Sequence, residues 1–304
     1  MGDIVSAYIA LIPVTLAQSL ILSFVVLAVM IPFRILNFPD LTSEGAYPLG
    51  GCVCGVALVA GVPAFPALLV AAAAGFAAGF ATAFLHLKFR IHSLLAGILI
   101  TTMLYSVNLR IMGKSNLPLF NKAKVYDLLA PLDLSGSVTR ILIAGALALA
   151  VCAVLNLWFL TERGTAMRAV GVNPDMAEAQ GINIWRYTIG GIGLAGAFSA
   201  LSGGLMVQAQ GFADVNMGLG ILINGLAALM IGEAVVGKST VARQLLAPFA
   251  GAMIYYQLIS ICLAAGLPPG DLKIATGLFV LLMLAGPTLA RRKDGRAPRE
   301  VMKE

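Results

Sequence analysis

Residues 232–240, GEAVVGKST, have a spacing that could handle a nucleotide. Gly232, Gly237, Lys238 and Ser239 fill the pattern G-x-x-x-x-G-K-[ST]. In a P-loop, backbone amides cradle phosphates, the Lys reaches the β/γ-phosphates and the hydroxyl holds Mg²⁺. That chemistry needs a β-strand before the loop and a helix of a soluble α/β domain after it. Other candidates for chemistry are sparse. Cys52, Cys54, Cys152 and Cys262 lie in apolar stretches, and His86 and His92 share a short charged connection. The thiols read as small buried residues and the histidines as loop residues, rather than as a disulfide or metal site. No cofactor is called for.

The elements that must position these residues are set by composition. Of 304 residues, 60% are hydrophobic and 11% are charged. A soluble domain carries about 25% charged residues, so this chain lacks the polar residues to cover a soluble globule. It reads as an all-α, polytopic membrane protein. Its 33 glycines suit closely packed transmembrane helices. Spans of about 20 apolar residues are expected near 5–31, 44–61, 64–86, 92–112, 138–160, 186–208, 217–235, 241–265 and 271–290. That is about nine helices in one transmembrane domain, 1–290, followed by a basic tail, 291–304. The first apolar stretch exceeds a signal h-region and has no Lys or Arg before Arg34, so it reads as a span rather than a cleavable leader.

Basic residues mark the cytoplasmic side. The tail carries Arg291, Arg292, Lys293, Arg296, Arg299 and Lys303. An inside C-terminus and an outside N-terminus put fourteen of the twenty Lys and Arg in cytoplasmic segments. The expected location is the bacterial cytoplasmic (inner) membrane. The nucleotide-like motif then follows LGILINGLAALMI, the end of a span, and precedes another span. The closest stretch to a Walker B strand, LLAPLD, is broken by Pro131 and falls on the other side of the membrane. GEAVVGKST reads as a cytoplasmic turn, and no catalytic residue is assigned.

The stretch TERGTAMRAVGVNPDMAEAQGINIWR, 161–186, is polar and falls between two long apolar spans on the expected cytoplasmic side. Asn173 suits a helix N-cap, Pro174 the first helical position, and Asp175 the positive end of the helix dipole. Gly181 suits a left-handed terminator. A preceding short helix from Thr165 to Val170 is expected to stop at Gly171. The result is a compact helix–Gly–helix–Gly element at the membrane face.

Thr161, Gly164, Ala166, Arg168, Ala169, Val170, Gly171, Asn173, Ala177, Gly181, Ile182 and Asn183 fill a pattern that resembles the coupling loop in membrane subunits of ABC importers of the branched-chain amino acid, ribose and nucleoside type. ILNFPDLTSEGAYPLGG, 35–51, is similar to the segment leading into the second span of such permeases, and the resemblance runs over about residues 15–290. With SLLAGILITTMLYSVNLRIMG, 93–113, it looks closest to a subgroup described as tryptophan/tyrosine transport permeases. The resemblance implies a type II importer-like fold and four kinds of partner: separate ATP-binding cassette ATPase subunits, an extracytoplasmic solute-binding protein, a second permease copy or paralogue, and membrane lipid. Nucleic acid is not among them. It implies coupling roles for Arg163, Gly164, Arg168, Gly171, Asn173, Asp175, Ala177 and Gly181. ATP would be used through the neighbouring subunit.

Polar residues inside spans are costly and are candidates for function. Asn37, Asp40, Thr42, Ser43, Glu44 and Tyr47 cluster where Pro39 and Gly45 interrupt the early helical pattern. A discontinuous helix there could line a cavity. A second group is Ser93, Thr101, Thr102, Tyr105, Ser106 and Asn108, and a third is Asn216 and Asn224, with Glu233 near a cytoplasmic end. Asn37, Ser43, Glu44, Tyr47, Asn108 and Asn224 are the candidate pathway residues. GILI recurs at 97–100 and 220–223 in spans of opposite direction, as an inverted repeat would give. The expected cargo is a small polar solute, an amino acid first and a sugar or nucleoside second. The rival reading is an ion-coupled secondary transporter. It would use membrane carboxylates, of which Glu44 and Glu233 are the candidates, both expected near cytoplasmic ends.

Overall fold

The computed structural model describes residues 2–120, 122–132, 135–268, 270–272, 274, 276–278 and 281. Among them the chain forms α1 (Gly2–Met30), α2 (Thr42–Val59), α3 (Ala64–Phe89), α4 (Ser93–Met112), β1 (Asn116–Pro118), α5 (Gly136–Phe159), α6 (Glu162–Val172), α7 (Pro174–Ala179), α8 (Ile184–Gln210), β2 (Phe212–Asp214), α9 (Ile221–Val236) and α10 (Val241–Ala264). The all-α polytopic reading holds. Seven helical segments are long and apolar enough to cross a membrane. The eighth long helix, α2, begins with the polar run Thr42-Ser43-Glu44 and is packed among its neighbours. The expected span 271–290 lies largely outside the described residues.

Helices α1 and α8 form the centre. α2 and α3 pack on one side of α8 with α4 beyond them, α9 and α10 pack on α1, and α5 lies at the edge against α1 and α10. Within a bilayer, lipid is as apolar as Leu, so helices associate through close packing rather than through the hydrophobic effect. Small residues supply that closeness here. A Cβ on Gly75 would overlap the Gly196 carbonyl between α3 and α8, and one on Gly232 would overlap the Ala247 carbonyl between α9 and α10. Gly45, Gly50 and Gly51 lie inside an unbroken α2. Gly45 therefore does not interrupt the helix. It lets α2 approach Thr101 and Leu104 of α4.

The interruption sits earlier. Pro32 has no N–H for the preceding turn, and the end of α1 widens into a π-helical turn, Ile31–Ile35. Leu36 N–H bonds the Ile31 carbonyl at 3.1 Å and Phe38 N–H bonds the Pro32 carbonyl at 2.9 Å. Asn37 then takes a left-handed φ of 49°. Buried irregular chain needs partners for its polar groups. Thr101 Oγ1 donates to the Leu41 carbonyl at 3.0 Å, and the buried Asp40 carboxylate accepts from the Thr42 N–H and hydroxyl.

At the end of the bundle away from α6 and α7, β1 pairs antiparallel with β2. Gln208 ties the 3₁₀ turn Val125–Leu132 to this end by accepting the Val125 N–H at 2.7 Å. Tyr126 donates to the Leu205 carbonyl, and burial raises its phenol above the ordinary pKa.

Candidate functional site

Two sites emerge at different heights of the bundle. The lower one is built on α6 and α7. Thr161 caps α6 through the Gly164 N–H, and Asn173 caps α7 through the Met176 N–H at 3.0 Å. α7 ends as expected in a left-handed Gly181 with φ 79°. There Ile182 N–H bonds the Ala177 carbonyl and Gly181 N–H bonds the Glu178 carbonyl, a Schellman arrangement.

Gly171 corrects an expectation. It does not stop the helix, because α6 runs through it to Val172 and its φ is not left-handed. Its lack of a side chain serves contact: a Cβ there would overlap the Ile35 carbonyl of the π turn. Gly164 likewise lets α6 lie on Trp158 and Phe159 at the end of α5. Met167 is 1% exposed and anchors the same face, while Ala177 is buried beneath α7. The outer face is different. Arg163 and Asp175 are exposed, and Val172 and Met176 stand out at 86% and 64% exposure. Val172 and Met176, with Thr165, Arg168, Ala169 and Asn173, border a shallow groove of about 450 Å³. Arg168 reaches Thr165 Oγ1 at 3.4 Å, while its Nε is buried without a partner. Exposed apolar side chains beside an under-used guanidinium suit a protein contact.

The nucleotide-like motif is a helix end and a turn. Gly232 to Val236 belong to α9, and Gly237 turns with φ 79°. Glu233 accepts two bonds from Arg34, each 2.7 Å, and lies 3.9 Å from Lys238 Nζ. Thr240 caps α10 through the Arg243 N–H. The element leading directly into the motif is helix α9 rather than a strand, and the first five residues of the motif are helical.

The upper site is a cleft of about 240 Å³ between α2, α4 and residues 215–219. Its walls include Glu44, Thr101, Tyr105, Asn108 and Asn216, one or more from each of the three expected polar groups. Glu44 Oε1 accepts the Gly220 N–H at 2.7 Å, at the start of α9. Glu233 is thirteen residues further along α9, about 20 Å at 1.5 Å per residue. Glu44 therefore sits deep in the bundle, at the far end of α9 from Glu233, whereas both were expected near cytoplasmic ends. Four other candidates do not line the cleft. Asn37 is exposed near the π turn. Ser43 is buried, its carbonyl bonded by Ser199 Oγ of α8. Tyr47 is 3% exposed in the core. Asn224 lies one turn into α9 and accepts the Tyr255 hydroxyl at 2.9 Å.

The pairing of Arg34 with Glu233 was not read from the sequence. Two lone, opposite charges at the ends of apolar spans were the signal available. The Ile35 carbonyl, Met167 and Val172 had none, since their roles come from tertiary contact.

The chain is similar to three other proteins, one of them a named transport permease matched over most of its length. It is 38% identical over 270 residues to the tyrosine transport system permease protein of Clostridioides difficile (strain R20291), covering 89% of each. It is 32% identical over 283 residues to protein RP368 of Rickettsia prowazekii (strain Madrid E), covering 92% of this chain and 97% of that one. A shorter match, 29% over 155 residues and 48% of each chain, is to the nucleoside ABC transporter permease protein NupC of Lactococcus lactis subsp. cremoris (strain MG1363). No solved structure matches it. The family model described as the permease component of branched-chain amino acid transport systems matches residues 12–285. A capped loop element at one end, a polar cleft deep among packed apolar helices and that match over most of its length place the chain in this permease family, as a multi-pass membrane protein.

Proposed function

We propose that this chain is the membrane subunit of a binding-protein-dependent ABC importer that carries an amino acid, with an aromatic amino acid the first candidate. It works with a separate ATPase subunit, an extracytoplasmic binding protein and a second permease. ATP hydrolysis belongs to the ATPase, and this chain is not an enzyme. The N-terminus faces outward and α6 and α7 face the cytoplasm.

The observation that carries this reading is the α6–α7 element. It is capped at Thr161 and Asn173, seated on Ile35 through Gly171, and turned outward with Arg168, Val172 and Met176 at a groove. An isolated carrier has no use for such a face. Arg163 and Asp175 flank it as charged contacts. The tyrosine label of a relative over nine-tenths of its length favours an aromatic amino acid over a sugar or nucleoside.

The test is expression of the chain with an ATPase and a binding protein of the same importer. Co-purification with the ATPase, and ATP-dependent uptake of L-tyrosine or L-tryptophan into proteoliposomes, are expected. Uptake by the chain alone, driven by an ion gradient, would sink the proposal in favour of a secondary transporter.

A further inference from the structure

We infer that the cleft between α2, α4 and residues 215–219 holds the solute during transfer, and that Glu44 and Asn108 select an ammonium-bearing solute of amino-acid size. This rests on the importer reading and adds a place and a recognition chemistry to it.

Asn108 carries the argument. It is 1% exposed, it lines the cleft, and neither Nδ2 nor Oδ1 has a hydrogen-bond partner. A buried carboxamide with both functions unpaired is expensive, and such groups are rare in native structures. The neighbouring hydroxyls are already engaged, Thr101 with the Leu41 carbonyl and Thr102 with the Leu99 carbonyl. Asn108 is thus, among the described residues, the wall residue whose donor and acceptor are both buried and unpaired, whereas Tyr105 and Asn216 are exposed.

Glu44 supplies the charge. One oxygen accepts the Gly220 N–H, and a carboxylate has about four acceptor positions. Among the described residues no Lys or Arg forms an ion pair with it. A carboxylate deep in an apolar bundle is best matched by a ligand that brings a cation. An amino acid places its ammonium on Glu44 and its carboxylate on the Asn108 amide hydrogens. A sugar or neutral nucleoside leaves Glu44 without a counter-charge, and a lipid tail leaves both groups unpaired. Tyr105, 49% exposed, adds an aromatic surface. The cleft has a volume of about 240 Å³, room for more than one water.

The experiment uses the detergent-purified permease–ATPase complex without binding protein, and measures binding of radiolabelled L-tyrosine by scintillation proximity. Saturable binding is expected, with competition by tyramine, which keeps the ammonium. Ribose, uridine and 3-(4-hydroxyphenyl)propionate, which lack it, should not compete. Glu44→Gln keeps an acceptor for the Gly220 N–H but removes the charge, and should weaken binding at least tenfold. Asn108→Leu should do the same, with Asn108→Ser used if the leucine variant does not co-elute with the ATPase. A wild-type complex that imports tyrosine with its binding protein yet shows no saturable binding, or binds it equally with Glu44→Gln and Asn108→Ser, overturns the site and leaves the importer reading standing. A complete system that imports no amino acid overturns the reading itself.

Discussion

Arg34 grips Glu233 through two parallel bonds of 2.7 Å, and ten residues later Glu44 holds Gly220 at the other end of the same helix. The broken segment between α1 and α2 therefore clasps α9 at both ends. The residue after Arg34, Ile35, receives Gly171 of α6 on its carbonyl. A push on α6 thus meets the π turn, and the π turn is tied to α9, whose start borders the cleft. The Arg34–Glu233 pair is half exposed on the arginine side, so its worth in stability is modest, about 1 kcal/mol. Its expected importance is in transmission. Arg34→Glu and Glu233→Arg should each lower transport per ATP hydrolysed about fivefold, and the double exchange should recover most of it. If the double variant is no better than the worse single one, the clasp does not transmit.

Replacement of Gly171 separates close contact from backbone conformation. Its helical φ accepts any residue, but the Ile35 carbonyl leaves no space for a Cβ. Gly171→Ala should weaken docking of α6 and Gly171→Val should weaken it by about 3 kcal/mol. Gly181 is the converse, with open space but a left-handed backbone, so Gly181→Ala should cost about 1 kcal/mol. Binding-protein-stimulated ATP hydrolysis, measured at equal membrane expression, should fall in the order Gly181→Ala, Gly171→Ala, Gly171→Val.

Span positions were legible because apolar runs of bilayer length alternate with polar punctuation, and the ends of α3, α4, α5 and α10 lie within a few residues of expectation. The break before α2 was legible from Pro39 and the polar run after it. The faces of α2 were not. A helix buried on all sides has no apolar stripe to orient it, so Ser43, Glu44 and Tyr47 were equal candidates although only Glu44 reaches the cleft. Gly171 failed for another reason. A glycine in sequence signals either a left-handed turn or close approach, and only the position of Ile35 decides between them.

Lys238 lies in the turn between α9 and α10. Its ammonium faces Glu233, and its carbonyl accepts Gln244 Nε2 at 3.0 Å. Lys238→Ala in the whole complex should leave photo-crosslinking of azido-ATP unchanged, with label confined to the ATPase. Label on this chain that vanishes with Lys238→Ala would restore the P-loop reading.

Asn224 and Glu44 should behave differently toward water. Glu44 lines the cleft, whereas Asn224 is turned to Tyr255 of α10. In a background lacking the four native cysteines, Glu44→Cys should react with a small water-soluble thiosulfonate and Asn224→Cys should react at least tenfold more slowly. Equal rates would widen the pathway to include α9.

Arg168 tests whether the α6–α7 face meets the ATPase. Its guanidinium stands half-buried at the groove, with one long bond to Thr165 and an unpartnered Nε. A positive-inside role alone would be served equally by lysine. A bidentate contact to a carboxylate of the partner would not, because lysine lacks the planar fork. Arg168→Lys should therefore weaken ATPase binding by about 2 kcal/mol, some thirtyfold, measured by interferometry on the permease in nanodiscs. Met176→Ser should add to the loss by removing an exposed apolar contact. Arg163→Lys keeps the positive charge on an exposed side chain outside the groove and should change affinity less than Arg168→Lys. Full affinity in Arg168→Lys together with Met176→Ser would move the ATPase contact away from this groove.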